Sequence, residues 1–199
     1  MPCLLNVVLS AVCAALLFSA HPAAAPAAQG EAPMDPAVLA RAVDQIEELD
    51  RMRISLASNL DRNTEEPTTE TMREVCMPVG KRAVAIGQEN GWTVRQVAEK
   101  YLNPDHAPRG HQELEVIDLF HRHPNINGLW EPASAEQGAG ANYYRRIDVQ
   151  PSCMACHSSK DSRPAFIKDK YGDQDRAFNF KPGDLRGMYA VFIPEAPAT

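Results

Sequence analysis

The chain lacks positive charge relative to negative. Its 20 Lys+Arg face 26 Asp+Glu, for a net charge of −6. A nucleic-acid binder usually carries a basic excess, so that class is excluded. No second long apolar run follows the first, which excludes a multi-span membrane protein. No internal repeat and no low-complexity tract beyond an Ala/Pro leader is present, so repeat architectures are excluded as well. Apolar residues are not scarce. At 44% hydrophobic and 23% charged, 199 residues can bury the core of one domain.

Charge is absent altogether from residues 1–30. Leu4 to Ala20 is almost wholly apolar and leads into His21-Pro-Ala-Ala-Ala-Pro-Ala-Ala, a small-residue tract suited to signal peptidase. The expectation is a cleaved secretory signal over 1–28, with an uncleaved anchor as the rival, and hence a periplasmic protein. Cys13 follows the bulky Val12 and sits too early for lipoprotein processing. Cleavage near Ala25 to Ala28 would remove Cys3 and Cys13. Cys76, Cys153 and Cys156 would remain, an odd number that argues against a pure disulfide framework.

Asp35-Pro36 reads as an N-cap with proline at the first helical position. Leu39, Ala42, Ile46, Leu49, Met52, Leu56 and Leu60 then form one apolar stripe, predicting a helix over 36–61. Such a helix suits packing on its own core, or a homodimer or signalling contact. With its linker it makes up 29–67, and 68–199 is the remaining domain. A second helix is expected from Thr68 or Thr69 to Gln88. Pro78 lies inside it and cannot donate an N–H, which predicts a kink or restart beside Cys76. Asn90-Gly91 ends that helix. Val94 to Tyr101 reads as a short helix, and Leu114 to Phe120 as another stopped by Pro124. Asn142–Gln150 and Met188–Ile193 read as strands, with 134–141 and 158–182 mostly loop.

Cys153-Met154-Ala155-Cys156-His157 is C-x-x-C-H, the attachment signature of c-type haem. Two thiols at this spacing can add to the two vinyl groups of one porphyrin, and the next residue brings an imidazole under the iron. The chain's own Cys and His frequencies give about 0.004 chance matches. A thioredoxin-like dithiol would sit near the start of a βαβ unit, not this late. A zinc site would need a second pair, for which His121 and His123 are the candidates. For the sixth iron position the residues leave Cys76, Met77, Met188, Met72, His106, His111 and an open site in contention. Cys76 is the only remaining cysteine and adjoins the proline irregularity. Its bland alternative is an inert core thiol.

In order along the chain stand Met72-Arg-Glu-Val-Cys76-Met-Pro78, Gly91-Trp92, Asn103-Pro104 with Pro108, Glu113-Leu114 before Phe120, the C-x-x-C-H run, and Gly183-Asp-Leu-Arg-Gly187. This set resembles the exported single-haem c-type cytochrome domain with a PAS-like fold, over about 68–194. The resemblance implies an α+β domain, N-terminal helices followed by an antiparallel sheet of about five strands that cradles a covalent haem c. It also implies axial ligation by His157 and by Cys76. The family pattern carries Arg before the Asn-Pro pair, where this chain has Leu102. If that Arg meets a haem propionate, Arg95, Arg145, Arg146 and Arg186 are its possible replacements. Arg186, inside the matched segment, is the foremost of them.

Three functions follow as expectations. A redox or small-ligand sensor would exchange its thiolate ligand on reduction, admit nitric oxide or carbon monoxide, and signal to a partner through helix 36–61. A soluble one-electron carrier would offer its acidic surface to a basic redox partner. An enzyme would need an open distal site with a poised acid or base such as His106 or His111.

Overall fold

In the computed structural model, residues 34–62 and 65–195 are described. The expected signal segment lies outside them. No helix among the described residues is long and apolar enough to cross a membrane.

Asp35 caps the first helix by accepting from Ala37 N at 2.8 Å, and the helix α1 runs over Pro36–Ala57 before tightening into a 3-10 turn at Ser58–Arg62. Thr68 and Thr71 exchange reciprocal capping bonds at the start of α2, Thr69–Val75. The helix then breaks at Cys76 and restarts as α3, Met77–Asn90, with Pro78 in its first turn. This is the restart that the missing proline N–H demands. Gly91 closes α3 in the left-handed conformation at φ 70°.

Four strands follow, interleaved with helices: β1 Thr93–Val97, α4 Gly110–Arg122, β2 Gly128–Pro132, β3 Gly140–Asp148, the short helices α5 Met154–His157 and α6 Ala165–Tyr171, and β4 Leu185–Pro194. They form one antiparallel sheet of order β1-β4-β3-β2. The chain is therefore α+β.

One expectation is corrected. The segment from Val94 is a strand, not a helix: β-branched residues at 93, 94 and 97 suit a pleated surface, and β1 pairs with β4 from Thr93–Phe192 to Val97–Met188. Segment 158–182 is mostly loop, as expected, with the short helix α6 within it. The sheet has four strands among the described residues, against about five implied by the resemblance.

Strand alternation feeds two cores. Tyr143, Ile147, Tyr189 and Val191 pack with Ala42, Ile46 and Leu49 of α1 and Val79, Ala83 and Ile86 of α3. Tyr144, Met188 and Ala190 point the other way, onto Val116, Ile117 and Phe120 of α4. The apolar stripe of α1 thus lies on the chain's own core, and its outer face shows Arg41, Asp44, Glu48 and Arg51.

One polar and one steric constraint fix this frame. Arg145 on β3 donates through Nε and Nη2 to Glu47 of α1 at 2.9 and 3.1 Å. Gly187, at φ 154°, lies so close to β1 that a Cβ there would overlap the Val97 carbonyl oxygen.

Gly187→Ala should therefore destabilise the fold by roughly 1–3 kcal/mol, read in a denaturant melt; an unchanged melt would contradict the close approach. The hydrogen bond from Arg145 holds the Glu47 carboxyl below its ordinary 4.5. The native state binds this proton less readily than the unfolded chain, so the stabilisation is complete above about pH 4.5 and fades as pH falls through the folded value. Glu47→Gln should flatten that part of the acid-unfolding curve.

Candidate functional site

The C-x-x-C-H run is wound tightly. Pro151–Cys153 form a 3-10 turn and Met154–His157 one turn of helix. The His157 imidazole is enclosed by protein, and burial, with Arg186 nearby, drives its pKa down to about 3. It is a neutral ring. Its Nδ1 lies 2.7 Å from the Ala177 carbonyl, and an acceptor-only carbonyl puts the proton on Nδ1. Nε2 is left as the free donor atom. Arg163 Nη1 approaches the same Nδ1 at 3.3 Å, but Nδ1 carries a proton, so that contact is electrostatic and not a hydrogen bond.

What holds the ring comes from the segment that reads as loop. Asp175 accepts from Arg163 Nε at 2.7 Å with one oxygen and from Ala177 N at 2.8 Å with the other. Arg163 Nη1 also donates to the Cys156 carbonyl. One carboxylate therefore ties the haem-type motif to the carbonyl that orients its histidine. This is the outer-shell arrangement that metal-binding imidazoles use. Nothing in the spacing of Arg163 or Asp175 marks them in the sequence, because the contacts are tertiary.

Cys153, Cys156 and His157 lie along one wall of a cavity of about 610 Å³, a volume ordinary for cofactor clefts, about 300–1,000 Å³. Another wall is the α2–α3 break. There Cys76 joins Met72, Val75, Met77 and Val79, while Leu60, Val97, Ala98, Leu102 and Ile147 complete an apolar lining. Cys76 presents open surface to this cavity, yet the surrounding protein excludes enough water to push its thiol pKa up. Burial raises Cys156 to about 11. All three cysteines are free.

The other contenders separate. Met72, Met77 and His106 line the cavity. Burial and Arg186 lower the His106 pKa. Met188 is fully buried against α4, and His111 is exposed beside Glu115. His121 pairs with Glu99 at 3.6 Å, and no group of three or more His, Cys, Asp or Glu that would hold a metal ion occurs among the described residues. The zinc reading loses its second ligand pair.

The arginines separate too. Arg186 lines the cavity, donates to the Lys100 carbonyl at 3.0 Å, and has its pKa lowered by burial to about 10. Arg145 does not reach the cavity lining; it is held by Glu47 and by Asp50, 3.2 Å away. Arg95 binds Glu113, and Arg146 binds Asp148 and the Phe120 carbonyl. The arginine at the wall that spacing alone passed over is Arg53 of α1. Its signal was present: Arg53 is four residues after Leu49 and three before Leu56, a cation on the apolar stripe.

Removing the carboxylate that organises the motif, Asp175→Ala, should cost about 3–5 kcal/mol, the usual penalty for stranding a buried charge. Arg163 is 1% exposed and its Nη2 already has no partner. A thermal or urea melt indistinguishable from wild type would contradict the tie.

Comparison with known proteins adds the following. Residues 29–194 match the model of the Tll0287-like family, Tll0287. The crystal structure of the cyanobacterial heme-protein Tll0287 superposes with a TM-score of 0.73 at 49% identity, covering 83% of this chain and 99% of that one. A search of the curated proteins returned no match. With the family model matched from 29 to 194 and a solved relative covered nearly end to end, this chain belongs to the Tll0287-like family.

Proposed function

We propose that this chain is an exported, periplasmic mono-haem c-type protein that acts in redox or small-ligand sensing through a His/Cys-ligated haem. The observation that carries the reading is the meeting of Cys153, Cys156, His157 and Cys76 on one apolar cavity. The donor set fits the group. The two motif thiols are free, His157 has a single free nitrogen, and cations line the same walls. The relative's description as a heme-protein supports it.

In this reading Cys153 and Cys156 would hold the haem covalently, each thiol S–H adding across a vinyl C=C, the hydrogen going to the neighbouring carbon with no oxidant consumed. His157 Nε2 would be one iron ligand, its ring oriented by the Ala177 carbonyl, and Cys76 Sγ would be the other. When bound, the haem supplies a one-electron ferric/ferrous couple. Helices and a four-stranded antiparallel sheet around the cavity support the PAS-like description. The charged outer face of α1 is the surface proposed for a signalling partner or a second copy.

The alternative, a soluble one-electron carrier, is favoured by the net charge of −6, which suits a basic partner. An enzymatic reading would rest on His106, the histidine beside His157 that lines the cavity.

Cys153→Ser with Cys156→Ser should abolish haem that survives denaturation, read by haem staining of a denaturing gel; retained stain would refute covalent attachment. Cys76→Ser should raise the reduction potential by on the order of 100 mV or more, within the ~0.8 V range that axial ligands control. An unchanged potential and ferric spectrum would return Cys76 to the role of a lining thiol.

A further inference from the structure

The cavity wall is electrostatically one-sided. Its charged residues are Arg53, Lys81 and Arg186, and no Asp or Glu lines it among the described residues, in a chain where acids outnumber bases. Cations on an apolar wall repel one another and lose hydration, so an anion bound in the cavity would be favoured there, although Lys81 keeps access to solvent.

Arg53 is the clearest case. Its side chain is 13% exposed. Among the described residues its only hydrogen bond runs from Nε to Asp50 Oδ1, at 2.6 Å, and Nη2 is enclosed without a partner. A guanidinium offers five N–H donors in a fork. Asp50 is shared with Arg145, which in turn binds Glu47. Glu47, Arg145, Asp50 and Arg53 thus form a chain of alternating charge that sums to zero and ends at the cavity. Arg186 likewise gives one bond, to the Lys100 carbonyl.

We propose that Arg53 anchors a carboxylate of the group held in this cavity, with Arg186 as the second cation, so that the propionates of the haem supply the anions the wall lacks. The inference rests on the haem reading above. A carboxylate matches the planar fork of arginine with two hydrogen bonds. It also makes α1 the element that senses the cofactor's charge, since Arg53 is tied through Asp50 and Arg145 to β3.

The test uses the exported holoprotein. Arg53→Met removes a cation from the cavity wall and, in the haem reading, the anchor of a propionate. It should lower the one-electron reduction equilibrium about tenfold, 59 mV for one electron, and shift the propionate-bending band in the resonance Raman spectrum. Arg53→Lys, which keeps the charge but not the fork, should recover most of the potential and leave the band shifted. Should Arg53→Met fail to accumulate, Arg53→Lys and Asp50→Asn carry the test. The first again shifts the band; the second removes a negative charge behind the anchor and raises the reduction equilibrium. Wild-type potential and band in the Arg53 variants, with haem attached, would overturn the anchor. Wild-type protein without gel-stable haem would instead overturn the underlying haem reading.

Discussion

Both oxygens of Asp175 are engaged inside the protein, one by Arg163 and one by the Ala177 amide. From that single carboxylate the geometry of the site follows. The Ala177 carbonyl is fixed and takes the Nδ1 proton of His157. Arg163 is fixed and reaches back to the Cys156 carbonyl. The four-residue turn Met154–His157 is too short to hold itself, because a single helical turn is a nucleus and not a stable helix. Its order is borrowed from a loop 20 residues further on. Breaking a buried pair of this kind strands a charge.

The opposite wall depends on a local constraint. Proline at 78 cannot donate an N–H, and α2 ends where α3 begins, at Cys76. Cys76, at that break, is exposed and among the residues lining the cavity. The two walls meet through the sheet: Gly187 permits β4 to approach β1, and Arg186 beside it faces the same space. Charge then links the cavity to the outer helix, through Arg53, Asp50, Arg145 and Glu47.

Much of this was legible before any coordinates. The C-x-x-C-H run, the capped start at Asp35, the apolar stripe of α1 and the break at Pro78 are local signals with local causes, and each is found where the residues place it. The segment Val94–Tyr101 reads as a helix, yet its first part belongs to β1, because a run this short does not separate helix from strand period; pairing with β4 decides the matter. Arg145 was a reasonable candidate for the cavity, but Glu47 and Asp50, 98 and 95 residues earlier, hold it elsewhere. Arg53 was passed over although it interrupts an apolar stripe, and a lone cation on a buried face is a signal worth following. Arg163 and Asp175 had no signal to give: a loop's tertiary partners are not written in its own periodicity.

The central proposal is that His157 and Cys76 would both ligate the iron of one haem. Low-temperature electron paramagnetic resonance of the ferric protein, exported and with its haem attached, addresses this directly. The account predicts a low-spin signal of the thiolate/imidazole type, lost in Cys76→Ser. A high-spin signal, or one of the His/Met or bis-His type, would contradict it.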